Sequence, residues 1–252
     1  MKLSLCITTY NRYEMTIESF AKVIDDPRID DIVIMDDRSL GVDIERLRQF
    51  VLKDKTGKLH LWEQTVNVGM SKNKRDAIRH AKNEWAIIFD SDNIIGPDYL
   101  SEFFGFISGG YVFKEFSKIT DIEKFIFCPD FARPTFDYRE YKCGNGRNMR
   151  SGIYAARECA FDIKDDTFNC LMNTCNYIVN RDFYLKTYQY NPEHIASDTI
   201  WHNYNHLKAG GHFVVVPDMQ YFHRVHDGSG FMQDAAGNMA RADKVRKLIQ
   251  QL

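Results

Sequence analysis

Short apolar runs alternate with helical patterns along the N-terminal part of the chain, and this alternation limits the possible folds more than any other feature. The runs KLSLCITTY, DDIVIMDD, KLHLWEQ and EWAIIFD each predict a strand. Between them, GVDIERLRQFVLKD and SKNKRDAIRHAKN carry apolar residues at helical spacing, as does the segment from Ile17 to Ile24. A repeated strand–helix order predicts an α/β fold with a mostly parallel sheet and right-handed crossovers. IVIM and AIIF are continuously apolar, which predicts flanking helices on both faces of that sheet.

The chain is less regular between Gly105 and Cys170, where aromatic and charged residues mix without a clear period. We interpret this segment as an insertion of short strands and loops. NTCNYIVNRDFYLKTY then predicts a strand and a helix, and SDTIWHNYNHLKAGG predicts a helix closed by Gly210 and Gly211. HFVVVPDMQYFHRVH predicts a pair of strands interrupted at Pro217, and DAAGNMARADKVRKLIQQL predicts a terminal helix.

Charge and hydropathy exclude several classes of partner. The chain has 33 Lys and Arg against 35 Asp and Glu, a net charge of -2, so no large positive field is present to hold a nucleic acid. The apolar start of the chain is too short for a signal peptide, and no window approaches the roughly 20 apolar residues of a membrane span. We therefore expect a cytoplasmic protein with no nucleic-acid partner and no membrane span, and peripheral membrane association stays open.

The cysteine pattern favours reduced thiols. Six cysteines occur without a CxxC pair, at positions 6, 128, 143, 159, 170 and 175. In a chain without an export signal, such cysteines pack as small apolar side chains more often than they form disulfides or zinc sites. The alternative is a metal cluster among the five from Cys128 to Cys175.

Polar residues follow the predicted strands at the points where these end, as TTYNR, DDRS and DSDN. In open α/β sheets, ligands bind outside the carboxyl ends of the strands. Asp90 and Asp92 are two positions apart after a buried strand, so one or both carboxylates can point into a cleft there. Mg²⁺ and Mn²⁺ take such carboxylates together with substrate phosphates as ligands. The alternative is that Asp92 caps the following turn and Asp90 is a solvated strand end.

These motifs resemble those of the inverting GT-A glycosyltransferases of family 2, which includes many bacterial polysaccharide and lipid-linked sugar transferases. ITTYNR, IMDDRS, NVG and DSD followed by NIIGPDYL occur in the family's order. The resemblance implies a GT-A fold, a Rossmann-like nucleotide-binding architecture, in a single domain over 1–252. Within it, 1–104 would bind the nucleotide sugar, 105–230 would hold the insertion and the acceptor, and 231–252 would form the C-terminal helix.

The resemblance implies nucleotide contacts from the first two strand ends. Thr8, Tyr10 and Asn11 would flank the base and ribose, and Asp37 would hydrogen-bond the base. The alternatives are ordinary strand-end packing for Thr8 and Tyr10, and a turn cap beside Ser39 for Asp37.

The resemblance also implies roles on the diphosphate side. Asp92 would bind the cation directly, and Asp90 would contact ribose or reach the cation through water, with Ser91 between them in the same nucleotide-binding group. In NVGMSKNKR, Lys74 or Arg75 would contact the diphosphate, although a solvated helix face explains the KNKR run equally well.

A catalytic base is implied in the C-terminal half. Inverting sugar transfer needs a carboxylate to take the acceptor's proton and a cation to stabilise the leaving charge. SDTIWHNYNHLKAGG resembles the family pattern E-D-x-x-L…L…G, with Ser197 in place of the first acid. Asp198 is therefore the predicted base. The alternative is an N-terminal helix cap that is favoured by the helix dipole.

Two histidines are candidate ligands of the cation or the diphosphate. YFHRVHDGSGF resembles the family segment Y-R-x-H-x-x-S, into which His226 and Ser229 fit, and His223 is the alternative. Upstream, the segment with Asn173, Thr174 and Asn176 resembles the one that closes over the donor sugar. Several aromatic residues could stack on an acceptor sugar, although core packing is favoured for them: Phe131, Phe136, Tyr138, Tyr141 and Trp201.

The sequence thus predicts a glycosyltransferase that uses Mn²⁺ or Mg²⁺ and a nucleoside diphosphate sugar, with a UDP-sugar as the favoured donor. The acceptor would be a hydroxyl of a glycan or a lipid-linked molecule. Three alternatives stay open: a retaining enzyme on the same fold, a nucleotidyltransferase, and a non-catalytic sugar-nucleotide-binding domain. The absence of glycine from ITTYNR counts against the second, because nucleotidyltransferases begin with a glycine-rich phosphate loop.

Overall fold

We describe the fold from a computed structural model of the 252-residue chain. The residues described are 1–109, 121–134, 136–137, 152–154, 175–224, 226 and 234–252, with 136–137 and 152–154 as backbone only.

The strands of the described residues form one sheet. In chain order they are β1 Leu3–Thr9, β2 Ile29–Asp36, β3 Leu59–Glu63, β4 Trp85–Asp90, β5 Ile94–Ile95, β6 Phe125–Arg133, β7 Phe136–Asp137, β8 Gly152–Tyr154, β9 Tyr177–Asn180 and β10 His212–Phe222. The sheet order is β3-β2-β1-β4-β9-β6-β10-β5, with β7 paired to β6 and β8 paired to β10.

The described helices occur in the order that the sequence predicts, with one helix after β5 that was not predicted. They are α1 Tyr13–Phe20, α2 Val42–Leu52, α3 Met70–His80, α4 Pro97–Ser108, α5 Arg181–Thr187, α6 Asp198–Lys208 and α7 Ala235–Ile249. Two 3₁₀ turns, Ile122–Lys124 and Pro192–His194, complete the described helical segments. The predicted closure of α6 is confirmed, because Gly210 adopts a φ of 79° that disfavours other residues and its N–H donates to the carbonyl of Leu207.

The predicted α/β class is confirmed, and the two halves of the sheet differ in strand direction. β1 pairs in parallel with β2 and β4, and β2 with β3. From β9 onward the sheet is mixed, since β9 runs antiparallel to β4 and β6 whereas β10 runs parallel to β6. The antiparallel step at β9 matters for function, because it returns the chain to the carboxyl end of β4.

Alternate residues of the strands bury against helices on opposite faces. On β1, Leu5 and Ile7 pack in the cluster that includes Phe20 of α1 and Tyr99 of α4. Cys6 points to the other face, where α3, α5, α6 and α7 supply the covering side chains. These side chains are fully or almost fully buried, and each such aliphatic or aromatic residue contributes about 1.5–3 kcal/mol relative to exposure.

Two predictions about strands are wrong. The segment between Gly105 and Cys170 is not made only of short strands and loops, because β6 lies inside the sheet between β9 and β10. The predicted strand pair interrupted at Pro217 is one strand, β10, with a register shift between Val216 and Gln220. The bulge absorbs Pro217 where a regular ladder would need its missing N–H.

The thiol prediction holds for the cysteines that the structure describes. Cys6, Cys128 and Cys175 are buried and free. Cys143, Cys159 and Cys170 lie outside the described residues, and so does the alternative of a metal cluster among them. Within the described part of the chain, no helix combines the length and apolar character needed to cross a membrane. The cytoplasmic location stays a prediction.

Candidate active site

The sheet register brings three strand ends together. Thr8 on β1 lies beside Met35 of β2 on one side and Asp90 of β4 on the other. The start of β9 is next to the end of β4, since β9 is antiparallel to it, and the segment just before β9 therefore meets Asp90. The predicted rim of polar residues exists, and residues from the C-terminal half join it.

Asn11 links the loops that follow β1 and β2. Its backbone φ is 50°, its N–H donates to Ser39 Oγ at 2.7 Å, and its Oδ1 accepts from the N–H of Leu40 at 2.9 Å. Tyr10 beside it is 44% exposed, and Thr8 is partly buried. The nucleotide contacts of these three residues stay predictions, and Tyr10 has the exposed ring that stacking on a base would need.

Asp37 holds a loop. Its two carboxylate oxygens accept from the backbone N–H groups of Val68, at 2.7 Å, and Gly69, at 3.0 Å. Gly69 has a φ of 82°, a conformation that favours glycine, which explains the glycine of NVG. The side chain that caps the turn at Ser39 is that of Asp36, whose Oδ2 accepts a hydrogen bond from the N–H of Ser39 at 2.7 Å. The alternative role of Asp37, a turn cap beside Ser39, is therefore filled by Asp36.

Both acids of IMDDRS are buried, Asp36 at 1% and Asp37 at 5% exposure, and burial raises the pKa of each carboxyl. Asp36 Oδ1 is buried without a hydrogen-bond partner among the described residues. The predicted contact of Asp37 with the nucleotide base stays a prediction.

The carboxylate of Asp92 contacts the guanidinium of Arg12 and the imidazole of His226. Its Oδ2 accepts from Arg12 Nη1 at 2.9 Å and lies 3.1 Å from His226 Nε2. The side chains of Asp92 and His226 are 16% and 18% exposed. His223 is close to the same carboxylates: burial lowers the pKa of His223, and the charges of Asp92 and Asp90 oppose that shift. Arg12 is the last residue of the motif ITTYNR, and its contact with Asp92 was not predicted from the sequence.

The donor atoms around Asp92 fit a divalent cation in their chemistry. A carboxylate and an imidazole converge within 3.1 Å; the carboxylate is a ligand that suits Mn²⁺ and Mg²⁺, and imidazole is a common metal ligand in proteins. Within the described ranges, His, Cys, Asp and Glu side chains do not form a group of three or more that could hold a metal ion. The described residues thus offer Asp92 and His226 as protein ligands at this site, and phosphate oxygens and water could complete the set, as Mg²⁺ sites commonly have.

Lys74 is buried between two carboxylates. Its Nζ lies 3.1 Å from Asp198 Oδ2 and 3.4 Å from Asp90 Oδ1, and the Lys74 and Asp198 side chains are only 7% and 9% exposed. A third, longer hydrogen bond of 3.5 Å runs from Lys74 Nζ to Thr199 Oγ1. The structure thus brings the predicted base and the first Asp of DSD to one ammonium group. The predicted contact of Lys74 with a diphosphate stays a prediction.

Asp90 has partners from the segment before β9. Cys175 Sγ donates to Asp90 Oδ2 at 2.8 Å, and the backbone N–H of Asp90 donates to Asn176 Oδ1 at 2.9 Å. The side chain of Asp90 is 34% exposed, so part of the carboxylate still faces the cleft. Ser91, also predicted to bind nucleotide, is 2% exposed and offers little surface to a ligand.

The protein gives the two carboxylates opposite pKa shifts. Burial and the nearby charge of Asp90 raise the pKa of Asp198, against the effect of Lys74. For Asp90, burial also favours the neutral acid, but Lys74 and the Cys175 hydrogen bond outweigh it and lower the pKa. Burial disfavours the Lys74 cation, yet Asp198 and Asp90 hold its pKa well above the usual value. Asp198 is therefore the more basic carboxylate of the pair.

The remaining predicted contacts are distributed as follows. Trp201 packs against the core, donates from Nε1 to the carbonyl of Gln189 at 2.9 Å and stacks on His194 at 4.9 Å. Phe131 is partly buried on β6. Asn173, Thr174, Tyr138, Tyr141, Ser229 and the side chain of Phe136 lie outside the described residues.

Comparison with known proteins gives a family match and several structural likenesses. The sequence model described as Glycosyl transferase family 2 matches residues 4–162. A poly(ribitol-phosphate) beta-glucosyltransferase of Bacillus spizizenii is 32% identical over 110 residues, which are 42% of this chain and 17% of that protein.

The fold is similar to those of solved glycosyltransferases. TarS 1–349 of S. aureus, in complex with UDP, matches with a TM-score of 0.65 and 14% identity over 99% of this chain and 65% of that one. The mannosyltransferase PcManGT from Pyrobaculum calidifontis, in complex with GDP-Man and Mn²⁺, matches with a TM-score of 0.60 and 16% identity over 96% and 64%. These likenesses confirm the predicted GT-A fold. The chain spans less than two thirds of the length of each of these proteins.

Replacing Asp37 tests its role in holding the 67–69 loop. In Asp37→Ala, two backbone N–H groups lose their acceptor, so we expect the free energy of unfolding to fall by about 1–3 kcal/mol. Asp37→Asn keeps one carbonyl acceptor and should lose less. Urea unfolding measures both values, and an Asp37→Ala protein as stable as the wild type would contradict this role.

Proposed function

Since the chain belongs to glycosyl transferase family 2, we propose that it transfers a sugar from a UDP-sugar to a hydroxyl acceptor, with inversion and with Mn²⁺ or Mg²⁺. The observation that carries the proposal is the shared contact of Lys74 with Asp198 and Asp90. It sets a carboxylate of raised pKa beside the strand end at which this fold class binds its ligand.

Asp198 has the properties of a general base. It is the first residue of α6 and is buried, and this burial raises its pKa. Lys74 forms an ion pair with it, with 3.1 Å between Lys74 Nζ and Asp198 Oδ2. A carboxylate whose pKa is raised toward the working pH takes a proton more readily than an ordinary aspartate. In the proposed reaction, Asp198 removes the proton of the acceptor hydroxyl while the acceptor oxygen bonds to the anomeric carbon. The bond from that carbon to the diphosphate oxygen breaks on the opposite side.

Asp92 and His226 would hold the cation, which when bound supplies positive charge to the leaving diphosphate. Arg12 contacts the same oxygen of Asp92 and adds a fixed positive charge at this place. Asp90 keeps an exposed part and lies beside Thr8, so it can accept a hydrogen bond from ribose.

The choice of donor rests on the relatives. UDP is bound to TarS, GDP-Man and Mn²⁺ are bound to PcManGT, and the B. spizizenii relative is named as a glucosyltransferase. We assign a UDP-sugar to this chain because TarS has the higher TM-score of the two. The acceptor class, a hydroxyl of a glycan or of a lipid-linked molecule, carries over from the sequence prediction.

Asp92→Asn tests the cation site through donor binding. UDP with Mn²⁺ should raise the thermal unfolding temperature of the wild type, because a ligand that binds only the folded state stabilises it. In Asp92→Asn, the part of this shift that depends on Mn²⁺ should disappear. Asp98→Asn, a change at an exposed carboxylate on α4, is the matched control and should keep the full shift. A full Mn²⁺-dependent shift in Asp92→Asn would contradict the assignment of Asp92 to the cation. A wild type that is stabilised by GDP and not by UDP would show that the donor is a GDP-sugar.

Asp198→Asn tests the base. Removing the proton acceptor should lower kcat by about 10²–10⁴-fold, since general-base catalysis contributes that much, and should leave the Kd of UDP within a few-fold. Sugar transfer is followed by release of UDP in the presence of acceptor, and Kd by calorimetry. Asp182→Asn, at the exposed start of α5, is the control and should keep wild-type turnover. Full turnover by Asp198→Asn would favour a retaining mechanism or another base, and a wild type that binds donor without any turnover would favour a non-catalytic domain.

A further inference from the structure

We propose that Lys74 is the positioning residue of the base: it orients the Asp198 carboxylate, keeps it ionised and ties it to Asp90 at the end of β4. The inference rests on the proposed function, because it assumes that Asp198 is the base. Under this inference, Lys74 binds protein carboxylates and does not bind the diphosphate of the donor.

Among the described residues, three oxygen atoms of the protein lie around the Lys74 ammonium group. An ammonium group has three N–H donors. Lys74 directs them at Asp198 Oδ2, Asp90 Oδ1 and Thr199 Oγ1, at 3.1, 3.4 and 3.5 Å. The residue is 6% exposed, so a diphosphate would have to displace one of these partners to reach it.

The neighbouring basic residue shows the contrast. Arg75 Nη2 contacts Asp76 Oδ1 at 2.6 Å, and its guanidinium lies over the ring of Tyr188 at 5.5 Å. Its side chain is 28% exposed. Among the described residues, Lys74 contacts Asp198 and Asp90, whereas Arg75 does not. From the sequence, Lys74 and Arg75 were equally good candidates for a diphosphate contact.

The contacts of Lys74 join separate parts of the chain. Lys74 is on α3, Asp90 ends β4, and both Asp198 and Thr199 are in the first turn of α6. The two carboxylates are thereby held at fixed distances from one atom. Because a general base must lie within hydrogen-bond reach of the hydroxyl it deprotonates, an anchor of this kind sets the distance between the base and the donor site.

The charges around Lys74 explain why only one carboxylate becomes basic. One ammonium faces two carboxylates in a buried place, so the group as a whole has an excess negative charge. The negative charge of Asp90 is stabilised by the hydrogen bond from Cys175 and by solvent at the exposed part of its carboxylate. Asp198 lacks that exposure, with 9% of its side chain accessible, and Lys74 is the cation that opposes its protonation.

Arg12 also acts on this group, because its positive charge lowers the pKa of Asp90, and it stays in place when Lys74 is replaced. The neighbouring thiol, phenols and imidazole are neutral near neutral pH. Burial raises the pKa values of the Cys175 thiol, the Tyr184 phenol and the Tyr188 phenol, which keeps all three neutral. His202, one turn after Asp198 on α6, has its pKa lowered well below the usual value by burial and is neutral too. The change of charge on replacing Lys74 therefore acts on Asp198 and Asp90.

The test compares Lys74→Met, which removes the charge, with Lys74→Arg, which keeps a cation, and with Arg79→Met as the control at an exposed position of the same helix. Lys74→Met should lower kcat and move the acid limb of the kcat–pH profile to higher pH by about one unit or more, because an opposite charge lowers a carboxyl pKa by that much. The Kd of UDP with Mn²⁺ should stay within about threefold of the wild type. Lys74→Arg should restore part of kcat and return the acid limb toward its wild-type position, and Arg79→Met should leave the limb unchanged.

Two results would overturn the inference. A Kd of UDP raised tenfold or more in Lys74→Met, with an unchanged acid limb, would make Lys74 a donor contact. Wild-type kcat and an unchanged limb in Lys74→Met, with Asp198→Asn inactive, would remove Lys74 from catalysis while the proposed function stands. An inactive wild type would instead contradict the proposed function.

Stability measures the Lys74–Asp198 pair without any turnover. The pKa of Asp198 is raised in the folded state, so this group makes folding less favourable as pH rises through that pKa, and loss of Lys74 raises the pKa further. Lys74→Met should therefore lower the thermal unfolding temperature more at pH 8 than at pH 5. The pH-dependent part of the loss should shrink in an Asp198→Asn background, because that background lacks the carboxylate whose pKa Lys74 lowers. Equal losses at both pH values and in both backgrounds would show that the pair has no such interaction.

Discussion

The buried interaction of Lys74 with Asp198 and Asp90 is the contact on which the candidate site depends. Removing an ion from water costs several kcal/mol, and a buried ion pair returns this only when its geometry and its other hydrogen bonds are good. Here the ammonium has three partners, and Asp90 gains a thiol donor from Cys175. Replacement of Lys74 would leave two carboxylates here without their shared cation, so the arrangement is sensitive to that substitution in a way that surface ion pairs are not. We infer that the chain keeps this cluster for placement of the base and not for stability.

The fold accounts for the cluster. The parallel strands β1, β2 and β4 carry Thr8, the acids of IMDDRS and the DSD segment to one edge of the sheet. The antiparallel strand β9 then brings Cys175 and Asn176 back to the end of β4. α6 packs on the same face of the sheet as α3, which places its first turn against Lys74. Two parts of the chain far apart in sequence thus share one site.

The sequence predicted the first four strands and their helices because IVIM and AIIF are unbroken apolar runs with helical spacing between them. It missed β6, because Pro129 and the surrounding aromatic and charged residues hide the strand period, and because nothing local reveals that β6 pairs with β9 and β10. At the site, DSD and Asp198 were identifiable through the family's motif order. The partners were not: Asp36 rather than Asp37 caps Ser39, Arg12 reaches Asp92, and Lys74 reaches Asp198. Each of these contacts depends on tertiary packing, which residue type and spacing do not encode.

In the proposed reaction, Asp198 deprotonates the acceptor in a single displacement at the anomeric carbon. The anomeric configuration of the product, determined by proton NMR from the coupling of its anomeric proton, tests this mechanism. With a donor whose sugar is α-linked to the diphosphate, we expect a β-linked product, because the acceptor oxygen enters opposite the leaving group. An α-linked product would contradict the mechanism, since retention requires a different one from that which Asp198 and Lys74 support.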